Sequence, residues 1–226
     1  MTRLTSSGYK TIDRFRFSAG TAGTWTMTQS SDVPTGYGFA NSLKLDCTTA
    51  NASLSAGSDM SLQYKLEGQD VQTLRKGTSS AVPVTLSFWV KSTKTGTFIC
   101  ELHDIDNSRN ISQAYTVSSS DTWEKKELTF VGDTTGALND DNGESLRVQF
   151  HLVAGTTYTS GTLATSWVSP TSANRVVGQV NIADSTSNNW LLTGVQLEIG
   201  EKATEFEHEP YEATLKKCLR YHYQYT

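Results

Sequence analysis

The chain has 226 residues and a formal net charge of -4, from 19 Lys and Arg against 23 Asp and Glu. That length suits one large domain able to bury its own core. The acidic balance, with no basic cluster, excludes the positive footprint that nucleic-acid binding needs, and no apolar run reaches the roughly 18 residues of a membrane-spanning helix. Ser and Thr make up about a quarter of the residues and 17 are Gly. Thr, Val and aromatic residues favour pleated strands and Gly, Asn, Asp and Ser favour turns, so the composition reads as β-rich. The three cysteines, Cys47, Cys100 and Cys218, have neither disulfide-framework nor zinc spacing. They read as free thiols of a protein made in a reducing cytoplasm. The polar stretch Met1 to Lys10 lacks the apolar core of a secretory signal.

Strand signals recur along the chain. Phe15 and Phe17 alternate with Arg14 and Arg16, and Trp25 and Met27 alternate with threonines. Leu43, Leu45 and Cys47 oppose Lys44 and Asp46. Val84, Leu86, Phe88 and Val90 form the cleanest alternating face, with Trp89 and Lys91 opposite. Phe98, Cys100 and Leu102 follow Thr95-Gly96, and the two segments read as a hairpin. Trp123 to Val131 is the next strand, then Leu146, Val148, Phe150 and Leu152 alternate with Arg147, Gln149 and His151. Trp190 to Ile199 closes the set. Each strand has one apolar and one wetter face, so two sheets must bury their apolar faces on each other. The expected fold is all-β, an antiparallel jelly-roll β-sandwich with a short C-terminal helix and tail. No helical pattern between strands supports βαβ units.

Two loops stand out: the polar segment Gly132 to Gly143, and the long excursion Ala154 to Val176 with Tyr158 and Trp167. The predicted division is a sandwich over residues 1–205 and a tail over 206–226. In the tail, Leu215, Cys218 and Leu219 share one face of a short helix. Tyr221, Tyr223 and Tyr225 then form a strand-like stripe and are candidate oligomer contacts.

Several segments, in order along nearly the whole chain, resemble a family of tail-fibre and related virion structural proteins of tailed bacteriophages. They include Gly8 to Phe15, Gly23-Thr24-Trp25-Thr26, Asn41 to Leu45, Gln63 to Asp70, Pro83 to Ser92 and Asn189 to Gly200. The last is Cys218-Leu219-Arg220-Tyr221, where the family has a Cys-Gln-Arg-Tyr-Tyr pattern. The resemblance implies a jelly-roll like that of carbohydrate-binding modules, carried on a virion appendage, in a homotrimer with other virion proteins as partners. Members often carry an upstream attachment segment, and Met1 falls where such a segment would end, so a minimal or truncated form is expected. The resemblance supplies no catalytic residues.

No nucleophile elbow, zinc-protease motif or phosphate-cradling loop is present, and His103, His151, His208 and His222 have no metal spacing. The chain is therefore expected not to be an enzyme and to need no cofactor. A structural calcium is the one metal considered, with Asp104, Asp106, Asp140 and Asp141 as weak candidates from two acidic loops. Sugar binding uses flat aromatic platforms flanked by polar groups. Trp167, Tyr158, Trp89 and Trp123 are the candidates for it, while Trp25 and Trp190 read as core. The expected function is attachment of a phage to a bacterial surface glycan, without membrane insertion. A purely structural capsid-fibre or decoration module and a glycan-depolymerising tailspike are the alternatives.

Overall fold

The computed structural model describes residues 2–4, 6–9 and 15–219. Among these residues, period-2 alternation resolves into twelve strands in two antiparallel six-stranded sheets, with few helical turns. Sheet A is ordered β1 (Thr2–Leu4), β4 (Thr24–Ser30), β5 (Ser42–Thr49), β12 (Asn189–Ile199), β7 (Val84–Ser92), β10 (Glu124–Phe130). Sheet B is ordered β2 (Gly8–Tyr9), β3 (Phe15–Gly20), β6 (Asp59–Glu67), β11 (Glu144–Ala154), β8 (Gly96–Asp104), β9 (Arg109–Val117). The architecture is a jelly-roll β-sandwich. No helix among the described residues is long and apolar enough to cross a membrane.

The core lies between the sheets. From sheet A come Trp25, Leu45, Leu86, Phe88, Phe130 and Trp190; from sheet B come Phe17, Leu62, Phe98, Cys100, Val148 and Phe150. An aromatic chain crosses the sandwich: Phe150 sits edge-on to Phe88 at 5.1 Å and 6.0 Å from Trp190, and Tyr115 joins Phe88 to Phe98. Each such side chain contributes about 1.5–3 kcal/mol on burial. Cys47 and Cys100 are buried free thiols.

The expected hairpin of β7 and β8 does not form. Thr93 to Thr95 carry the chain from sheet A to sheet B, and Gly96, at φ +133°, begins the new strand. β7 instead lies between β12 and β10, and β8 makes its hairpin with β9. The long excursion after β11 opens with helix α1 (Thr156–Thr159) and then runs beside edge strand β9. It is held there by Asn110 N–H to Val168 O at 2.9 Å and Ser112 N–H to Ala164 O at 2.7 Å. It thus covers an edge that would otherwise template aggregation. Helix α2 (Tyr211–Leu219) lies in the predicted tail. Tyr221, Tyr223 and Tyr225 lie outside the described residues.

Candidate functional site

The outer face of sheet B carries a polar row across five strands. The register sets Arg16 of β3 opposite Gln63 of β6, Gln63 opposite Gln149 of β11, Gln149 opposite Glu101 of β8, and Glu101 opposite Ser112 of β9. The row is bonded in sequence: Arg16 Nη1 donates to Gln63 Oε1 at 2.9 Å, and Gln63 Nε2 donates to Gln149 Oε1 at 2.9 Å. Gln149 is only 2% exposed, and its Nε2 has no hydrogen-bond partner among the described residues. An unsatisfied buried donor costs about 1–3 kcal/mol.

Beside it, Glu101 is 0% exposed and gathers three cationic or imidazole groups. Arg175 grips it through Nη2 to Oε1 at 3.0 Å and Nε to Oε2 at 3.1 Å. His151 Nε2 lies 3.1 Å from Oε2, and His103 Nδ1 lies 3.2 Å from Oε1. Burial opposes ionisation of Glu101, but the contacts from His103 and His151 and the charge of Arg175 outweigh it and hold the carboxyl well below the usual range. Arg175 is delivered by the long excursion, whose backbone is fixed by Ser112 Oγ donating to Arg175 O at 2.8 Å. Asp59, at the start of β6, shifts the other way: burial raises its pKa, and the charges of His151 and Arg175 only partly counter that.

Asp59, Gln63, His103, Gln149, His151 and Arg175 line a cavity of about 180 Å³, with Tyr158 of α1 in its wall and Glu101 enclosed behind them. A buried charge cluster on the outside of a sheet does nothing for the hydrophobic core and is costly to desolvate. What it provides is a floor of fixed donors and acceptors beside one aromatic ring.

The four aromatic candidates are dispersed. Tyr158 lines this cavity. Trp89 projects from the outer face of sheet A into a different cavity. Trp123 donates its indole N–H to Asp32 Oδ1 at 2.9 Å, and Trp167 donates to Val131 O at 2.7 Å; both are tied to framework acceptors. Glu101, Arg175, Gln63, Asp59 and Gln149 were missed as site residues. The alternation of Glu101 and Gln149 with apolar neighbours was visible, but only the pairing of β6, β11 and β8, with the long excursion that carries Arg175, brings the five together.

In the acidic loops, Asp104, Asp106 and Asp141 are each engaged by other groups of the chain. Asp104 is fully buried and lies 2.5 Å from Lys76 Nζ, and Asp133 lies 3.0 Å from the same ammonium. Lys76 also donates to the carbonyls of Thr135 and Gly136. The oxygen cage thus already encloses a cation, and the Trp167 ring lies 5.2 Å from that ammonium. Asp106 accepts from the backbone and side chain of Asn139, and Asp141 accepts from Gly143 N. Among the described residues, no three His, Cys, Asp or Glu side chains come together to hold a metal.

No protein-family model matches this sequence, and no curated protein matches it. Among solved structures, the chain is similar to the enzymatically active domain of bacteriophage CBA120 tailspike protein 4, with 14% identity over 83% of this chain and a TM-score of 0.44. It spans 19% of that tailspike chain. It is also similar to the family 11 carbohydrate-binding module of the cellulase Lic26A-Cel5E of Clostridium thermocellum, with 11% identity, 90% of this chain and 97% of that one covered, and a TM-score of 0.42. A third is the tandem CBM22-1–CBM22-2 domain of Paenibacillus barcinonensis Xyn10C, with 14% identity, 84% and 46% covered, and a TM-score of 0.44.

Proposed function

We propose that this protein is a non-catalytic glycan-binding module whose ligand lies in the sheet-B cavity. The observation that carries the reading is the buried, unpartnered donor of Gln149 at the end of a bonded polar row, beside the immobilised Arg175 and the ring of Tyr158. A sugar presents hydroxyl oxygens to such donors and C–H faces to such a ring. Fixing the donors before binding removes much of the ordering cost of association. Glu101 is fully enclosed by Arg175, His151 and His103, so it serves to orient them and is not exposed for acid–base or nucleophilic work.

The display we propose is a homotrimeric bacteriophage appendage facing a bacterial surface, supported by the ordered resemblance along the chain. Three copies would raise a weak single-site affinity through effective concentration. Tyr211, Leu215 and Leu219 of α2 follow an i, i+4, i+8 spacing and are exposed, giving an apolar stripe for a neighbouring copy.

The test is binding of the purified protein to an array of bacterial and plant oligosaccharides and to intact bacteria, with Gln149→Met and Tyr158→Ala beside the wild type. Both variants should bind about tenfold or more weakly while keeping the wild-type melting temperature. Wild-type affinity in both would refute the assignment.

A further inference from the structure

The second cavity, about 640 Å³ on the outer face of sheet A, is within the size range of small-molecule sites. We propose that it is a separate saccharide site, taking a neutral pyranose unit against Trp89 and Tyr37. This inference concerns a different face from the sheet-B cavity and does not depend on it.

Three features support it. First, the walls are aromatic where no core requires them. Tyr37 is 54% exposed, and its ring centroid lies 4.3 Å from that of Trp89 with the planes at 49°, forming an open apolar corner. Trp123 and Trp167 are anchored through their indole N–H groups to acceptors elsewhere in the fold, whereas Trp89 lines this cavity.

Second, the back of the corner is built rigidly. Phe39, Phe206 and His208 form a mutual ring cluster with centroids 5.0–5.2 Å apart. His208 Nε2 lies 3.0 Å from Tyr37 O, which fixes the loop bearing Tyr37. Gly194, at φ +60°, makes room for the cluster: a Cβ there would fall 2.5 Å from Phe39 Cζ. Phe206 and His208 are thus packed on sheet A as one wall of the cavity.

Third, the polar groups are mixed in sign. Lys125, opposite Trp89 in the β7–β10 register, and Glu205 both line the cavity. One cation and one anion select against a strongly charged ligand, while both hydrogen-bond to hydroxyls. Aromatic faces for C–H groups and a polar rim for hydroxyls describe a sugar ring better than a hydrocarbon or a phosphate. With the sheet-B site, the module would engage glycan from both outer faces, so that one molecule could bridge two chains.

The test is a two-dimensional NMR titration of the full chain with cellotetraose, xylotetraose and β-1,4-galactotetraose, following the Trp89 indole N–H and the His151 ring. At least one sugar should shift the Trp89 signal. The shift should persist in Gln149→Met, and affinity read at Trp89 should fall about tenfold in Tyr37→Ala, the loss of one stacking surface. Tyr37 is exposed, so its truncation leaves the core intact. No Trp89 shift with any of the three sugars, or unchanged affinity in Tyr37→Ala, overturns the proposal. The sheet-B reading is scored separately by the His151 signals, so either site can fail alone.

Discussion

Lys76 and Glu101 solve the same problem with opposite signs. Each is a charge taken almost entirely out of water, which is tolerable only when every partner is in place. Lys76 is surrounded by two carboxylates and two carbonyls, so the positive charge beside Asp104 is supplied by the chain itself. Glu101 is surrounded by Arg175, His151 and His103 and stays ionised despite its burial. Because its pKa is depressed on folding, the stability it contributes is fully present above about 4.5, the ordinary glutamate value, and is lost as pH falls through its lower folded value. Wild-type unfolding free energy, measured by denaturant titration from roughly pH 5 to pH 2, should therefore fall more steeply than that of Glu101→Gln. Parallel curves would show that Glu101 is not held ionised by this cluster.

At the scale of elements, β12 bears most on both function and fold. It is central in sheet A, and its register with β7 jumps between Thr193 and Gln196. The bulge places Gly194 at positive φ under Phe39. Gly194→Ala should cost about 1–3 kcal/mol from backbone strain and displacement of the Phe39 ring. A drop in the denaturant midpoint with altered Trp89 fluorescence would show this; an unchanged midpoint would mean that the bulge relaxes freely. The alternating faces of β5, β7 and β11 were legible in the sequence, because each carries an apolar row into the core, and β12 was legible as an apolar run. The jelly-roll class followed from them. Strand β9 was not legible, because Gln113 interrupts its apolar row and buried Asn110 and Ser112 face the other way. The β7–β8 connection was misread because Thr95-Gly96 has the chemistry of a hairpin turn, and local sequence does not reveal which sheet the next strand joins. For the same reason, Tyr158 was found as a loop aromatic, whereas Glu101, Gln149 and Arg175 were not found. Their meeting is set by register across strands far apart in sequence, which periodicity cannot report.

At the scale of the whole molecule, the sandwich core spaces two cavities on opposite outer faces. Core packing across Phe150, Phe88 and Trp190 holds the sheets together, while long loops supply Tyr158 and Arg175 on one face and Tyr37 and Phe206 on the other. The proposed trimeric display makes its own prediction: light scattering after size exclusion should give three chain masses, and Leu215→Glu with Leu219→Glu on α2 should reduce this to one. A single-chain mass for the wild type would remove avidity from the account and leave each cavity to act on its own affinity. In the proposed function, a glycan completes the polar row of sheet B. The most direct measurement of it is the Gln149 side-chain amide NMR signal during titration with the tightest-binding oligosaccharide from the array. A saturable shift of that amide, following the same curve as overall binding, is the predicted result. Binding that saturates while the Gln149 amide stays fixed would contradict the account.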